Sequence, residues 1–212
     1  ITLRGTATDN HVGLQQVEIG IAQGEWYADT DNLLRNPGFE FGAHARVDPY
    51  APDQGPQPPL IVADGWELWY DGVPGRDGYN HRPEYQYFDH DAHPTLGRVR
   101  SGRYAQKMCN TYATHTAGFY QRVPVPRGSQ VTFSIWVKVW SSSYDDLSQS
   151  TDPGYYRTYV GIDPTGGTDW RSPHIIWSEP LVEYDTWNQM IVTATAQANA
   201  VTVFTKGQPE WR

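Results

Sequence analysis

The chain has one cysteine, Cys109, in 212 residues. No internal disulfide can form and no cysteine metal cluster can be built, and a lone thiol beside Met108 reads as a small buried hydrophobe. Methionine and lysine are scarce as well. No apolar run approaches the roughly 18 residues that a membrane-crossing helix requires, so no membrane insertion is expected. Positive charge is in deficit: the formal net charge of −8 argues against a nucleic-acid partner, which calls for a basic face. No segment combines helix caps with a sustained 3.6-residue period, and no internal repeat is present. Catalytic signatures are missing too, with no Gly-x-Ser-x-Gly elbow, no His-Glu-x-x-His and no phosphate loop. Gly161-Ile162-Asp163-Pro164-Thr165-Gly166-Gly167 is a glycine-rich turn that neither a Lys nor a helix follows. Glycoside hydrolysis needs two carboxylates about 5 to 9.5 Å apart. Glu84, Glu179, Glu183, Asp145 and Asp146 are available, but no spacing pairs two of them on one strand face. Catalysis is not expected.

What the chain has in quantity is aromatic surface and turn punctuation. Aromatics make up 14% of it, with nine Trp and fourteen Tyr, beside twenty Gly and sixteen Pro. Turn residues at short intervals favour many short strands. The length suits one sizeable domain, alone or with an appendage. Candidate strands are Asn32–Leu34, Trp66–Tyr70, Glu84–Phe88, Tyr104–Cys109, Gly118–Val123, Gln130–Trp140, Tyr155–Ile162, His174–Trp177, Asn188–Ala196 and Val201–Thr205. Residues 42 to 64 hold five prolines and read as a long surface loop, and Ser141 to Gly154 as a polar insertion. The expected fold is an all-β, antiparallel two-sheet sandwich. Residues 1 to 30 stand apart, with strand-like segments at Ile1–Ala7 and Val17–Ile21. They are too few to close a sandwich of roughly 100 residues and read as a docked hairpin or the tail of a preceding domain. The chain starts at Ile1 and stops at Arg212, which reads as a piece of a longer secreted protein.

One stretch has two distinct faces. In Phe133-Ser134-Ile135-Trp136-Val137-Lys138-Val139-Trp140 the odd positions are all apolar. The even positions set Trp136, Lys138 and Trp140 side by side on the opposite face, because strand side chains alternate. Two indoles flanking an ammonium suit a sugar ring, whose apolar face stacks while its hydroxyls take hydrogen bonds. The same pattern fits a face covered by a loop or a second layer.

The order of short motifs carries a resemblance. Asn32-Leu33-Leu34-Arg35-Asn36-Pro37-Gly38-Phe39-Glu40, followed by Gly65-Trp66, resembles jelly-roll carbohydrate-binding modules, the non-catalytic companions of xylanases and β-glucanases. Ser101 to Met108, Gly118 to Val123, Gly128 to Val137, Asp185-Thr186-Trp187 and Val192-Thr193-Ala194 follow the same pattern in the same order, so the likeness covers about residues 31 to 206. Gly5-Thr6-Ala7-Thr8-Asp9-Asn10 with Val17-Glu18-Ile19 resembles part of a bacterial immunoglobulin-like repeat. The resemblance implies a two-sheet jelly roll over residues 31–212, with oligosaccharide on a sheet face or at loop tips. It also implies a structural Ca²⁺, for which Glu40 offers the hard oxygen donor that cation prefers and Asp31 a second carboxylate. The family pattern ends in a strand with an Asp pair that this chain does not reach, so the fold is expected to lack its last strand or to borrow one.

The expected binding set is therefore Trp136, Lys138 and Trp140, extended by Tyr85, Tyr87 and Trp69. Gln121 and Arg157 would orient the ligand. The expected partner is a polysaccharide or glycan, met outside the cell by a module attached to neighbouring domains or subunits. The rival reading is a structural or adhesive sandwich without a sugar ligand, joined to its neighbours by strand addition. Asp89-His90-Asp91-Ala92-His93 has metal-ligand chemistry but reads as a solvated loop, and His115 as a loop hydrogen-bonder.

Overall fold

A computed structural model describes residues 18–22, 32–50, 58–72, 82–110, 113–144 and 146–210. Its strands are β1 (Glu18–Ala22), β2 (Ala43–Arg46), β3 (Leu60–Ala63), β4 (Glu67–Tyr70), β5 (Glu84–Asp89), β6 (Tyr104–Cys109), β7 (Ala117–Pro124), β8 (Gln130–Lys138), β9 (Arg157–Asp163), β10 (Ile176–Trp177), β11 (Trp187–Thr195) and β12 (Ala200–Gln208). Two 3₁₀ turns, His90–Ala92 and Pro94–Leu96, follow β5. One five-stranded antiparallel sheet has the order β10-β9-β12-β7-β4. A three-stranded antiparallel sheet has the order β1-β8-β11. The pairs β2–β3 and β5–β6 are also antiparallel. The molecule is an all-β antiparallel sandwich.

The period of two in β8 explains why the sheets stack. Val131, Phe133 and Ile135 point inward and are buried, with Met190, Val192 and Ala194 of β11 beside them. They meet Val160 and Ile162 of β9, Phe119 and Val123 of β7, and Val201 and Val203 of β12 in one apolar cluster. Each such aliphatic side chain contributes about 1.5 to 3 kcal/mol by leaving water, so this seam is the main source of stability. Val137 packs at its margin and Val139 is buried just beyond the strand end.

The main difference from the sequence reading lies between residues 42 and 64. That stretch is not a plain surface loop but contributes the hairpin strands β2 and β3, whose Leu60 and Val62 are fully buried. The prolines crowd between the two strands, while Leu60-Ile61-Val62-Ala63 is free of them and pairs with Ala43–Arg46. Asn32–Leu34 is a turn rather than a strand, with the Asn32 side chain accepting from the Leu34 N–H at 3.1 Å. β9 starts at Arg157 because Tyr155 adopts a left-handed φ of 53°. β1, within residues 1–30, pairs along β8 with Ile19 opposite Phe133.

Candidate functional site

β8 carries its second face outward. Trp136 and Lys138 stand on it, opposite Gln189 and Trp187 of β11, and Trp140 follows just past the strand end. All three are half-buried, because residues 97–100 lie across them. The Lys138 ammonium donates to the Gly97 carbonyl at 3.0 Å. The Arg100 guanidinium sits 3.7 Å over the Trp136 ring, and that of Arg98 5.1 Å over Trp140. Each contact is worth about 0.5 to 2 kcal/mol. The Trp140 indole N–H donates to the carbonyls of Asp146 and Gln149, so the polar insertion wraps its edge. The indoles are therefore neither core residues nor bare platforms; each has one arginine across a face. Sequence reasoning missed both arginines. The alternation Arg98-Val99-Arg100 places the two on one side of an extended segment, and this was the available signal.

Beside Trp140 lies a cleft of about 400 Å³, within the size range of small-ligand sites. Its floor is the outer surface of the β5–β6 hairpin, with Gln86, Phe88 and Lys107; Leu96, Arg98 and Leu147 close its side. Lys107 donates to the Gln86 side chain at 3.0 Å, and His93 lies 5.4 Å from Phe88. Arg98 joins cleft and indole face: it lines the one, covers the other and donates to the Leu147 carbonyl at 3.2 Å. Tyr87 lines the cleft while stacking on Tyr104 at 4.6 Å, and its hydroxyl donates to the Phe39 carbonyl. Burial pushes its phenol up to about 12.

The remaining expected contacts lie elsewhere. Tyr85 is 0% exposed, and its hydroxyl donates to the Trp69 carbonyl at 2.6 Å, so it is a core residue without a surface for ligand. Gln121 is buried, with its amide clamping the Arg35 backbone at 2.6 and 2.9 Å. Trp69 is 2% exposed and lies under Trp170, stacked at 4.6 Å, which rules it out as an open platform. Arg157 pairs with Glu210 and lies 5.0 Å over Tyr155, on the other sheet from Trp136. In each case the residue type was suitable, but sequence could not supply the second contact that commits it.

Glu40 works as a staple. Its carboxylate accepts the backbone N–H groups of Arg103 and Tyr104 at 3.1 Å. Gly102, at φ 68°, makes room, because a Cβ there would run into that carboxylate. Among the described residues no group of three or more His, Cys, Asp or Glu gathers as metal ligands, and Asp31 lies outside the described residues. Residues 89–93 form a capped turn in which Asp89 and Asp91 both pair with Arg103. His115 is buried against Tyr156, its Nε2 2.8 Å from the hydroxyl.

No protein-family model and no curated protein matches the chain. Among solved structures the chain is similar to a carbohydrate-binding module, "Structure of TmCBM61 in complex with beta-1,4-galactotriose at 1.4 A resolution". The two share 12% identity at a TM-score of 0.46, over 84% of this chain and 88% of that one.

Proposed function

We propose that this chain is a non-catalytic carbohydrate-binding module of a larger secreted or cell-surface protein. Polysaccharide is held where the outer face of β8 meets the cleft. The observation that carries this reading is the junction at Arg98, which lines the cleft and lies over the Trp140 indole, with Trp136 further along the same strand face under Arg100. A sugar ring stacks on indole faces through its C–H groups, while Arg98, Lys107 and Gln86 offer hydrogen bonds to its hydroxyls. The arginines then have a second role: they keep the rings covered in the free protein and turn toward hydroxyls when sugar arrives.

Affinity electrophoresis in gels containing xylan, β-glucan or β-galactan tests the proposal. The native chain should be retarded by at least one polymer. Trp136→Ala with Trp140→Ala should weaken retardation about tenfold or more, at roughly 1 kcal/mol per stacked ring. Free migration of the native chain in all of them contradicts the reading. A structural module joined by strand addition is favoured by one feature: among the described residues β11 is outermost in its sheet, with Ile191 54% exposed. That reading expects no retardation and a self-associating chain.

Calcium rests on Glu40 alone among the described residues, and both of its oxygens already accept peptide N–H groups, so the donor set fits Ca²⁺ poorly. The expected result is a melting curve unchanged by chelator, with Glu40→Ala costing roughly 1.5 to 3 kcal/mol through the lost staple. A chelator-induced drop in the melting temperature would restore the metal.

A further inference from the structure

The five-stranded sheet also has an outer face, and its chemistry is one-sided. Strand register aligns Glu67, Tyr120, Phe204, Gly161 and Trp177 across all five strands. Tyr159 lies opposite Lys206 in a neighbouring row, and Trp69 opposite Gly118. Gly161 is required for this surface: a Cβ there would come within 2.7 Å of the Trp177 ring and 2.8 Å of Ile175. The result is an aromatic floor in which Tyr120, Trp170 and Trp177 keep partial exposure around buried Phe204.

Around Lys206 and Trp170 its polar groups are mostly donors; Asp163, one row beyond Phe204 on the same face, is fully buried and keeps one carboxylate oxygen without a partner. The Lys206 ammonium rests 4.2 Å from the Tyr159 ring centroid and 4.3 Å from that of Trp177, and no carboxylate pairs with it among the described residues. Partial burial lowers its pKa, so an incoming negative charge would be rewarded. The indole N–H groups of Trp69 and Trp170 are both buried without an acceptor, although the two rings stack. Arg171 adds a guanidinium 4.4 Å over Trp170, tied on one side to Asp71. Glu67, the carboxylate in the aligned row, is engaged by Arg46 at 3.6 Å. Unpaired buried donors are costly, and an acceptor oxygen recovers that cost. In a protein of net charge −8, this local excess of donors contrasts with the overall charge.

We propose that this face is a second glycan site, distinct from the β8 face, and that it takes a sugar ring bearing a carboxylate, as in a polyuronate chain. The ring lies on Trp177 and Tyr120, its carboxylate reaches Lys206, and its remaining oxygens approach the indole N–H groups as Trp170 tilts. The test is affinity electrophoresis at low salt with polygalacturonate and with the same polymer after carboxyl reduction. Lys206→Met, which keeps the stem over both rings, and Arg171→Gln are compared with the native chain, with Trp140→Ala as control for the other face. Polygalacturonate should retard the native chain and the Trp140→Ala variant alike, the reduced polymer should not, and added salt should weaken the effect. Lys206→Met should lose about tenfold in affinity, the scale of one charge-assisted contact. If it melts early, Arg171→Gln with a native melting temperature decides, with a loss of about threefold or more expected. Absence of retardation by polygalacturonate, equal retardation by the reduced polymer, or full binding by folded variants would overturn the proposal. Failure of the Trp136 and Trp140 test leaves this site untouched, because the two faces belong to different sheets.

Discussion

Between pH 6.5 and 4 the protein should lose on the order of 3 kcal/mol of stability through one side chain. His115 is 3% exposed, and its Nδ1 has no hydrogen-bond partner. Loss of solvation pushes its pKa down from 6.5 to about 4. The unfolded chain takes up the proton near 6.5 and the native chain only near 4, so between these values the unfolded state binds more protons. Stability is complete above the upper value and declines as pH falls to the lower one. Asp48 enters only at the lower edge: against its desolvation, hydrogen bonds from Tyr70, the Tyr50 backbone and Arg82 hold its pKa below 3.8, so its contribution is lost mainly as pH falls below about 4. Urea unfolding at pH 7, 5.5 and 4 should give a steady decline. His115→Gln, which keeps a partner for the Tyr156 hydroxyl, should flatten it. A flat profile in the native protein would mean that His115 is reached by water.

Phe133→Ala should cost about 3 to 5 kcal/mol and lower the melting temperature by roughly 10 °C. Phe133 is fully buried in the seam between the sheets and cannot be replaced by water without opening a cavity. Trp136, three residues along the same strand, points the other way, under Arg100. Its truncation removes mainly the ring–guanidinium contact and should cost on the order of 1 kcal/mol. The contrast between these two substitutions is the energetic signature of a two-faced strand. Equal losses at both positions would make Trp136 a core residue and remove the basis for ligand binding there.

Much of this was legible because it depends on local alternation. Phe133, Ile135 and Val139 read as core from their spacing and are buried. Tyr104–Cys109 has the expected bounds, and β4, β5, β7 and β11 lie within two residues of theirs. β2 and β3 were hidden because prolines mask a short apolar run, and Leu60 finds its place only when Arg46 returns beside it. The binding residues failed for a related reason. Which side chain closes over which ring depends on contacts far along the chain: Arg100 reaches Trp136, and Trp170 reaches Trp69. Alternation gives the face of a strand but not what folds across it. Lys206 shows the same limit, since its spacing puts it on the face of Phe204 but the ring of Trp177 arrives from β10.

The most direct measurement is a two-dimensional NMR titration of the nitrogen-15-labelled chain, following its tryptophan indole N–H signals. Neutral β-linked oligosaccharides should shift the signals of Trp136 and Trp140, assigned by substitution. The signal of Trp66 should stay in place, because that ring is 0% exposed and its N–H is held by the Asn36 carbonyl at 3.1 Å. Saturating shifts at Trp136 and Trp140 with Trp66 unmoved are the predicted result. If neither signal moves with any neutral β-linked oligosaccharide, the β8 face is not a glycan site.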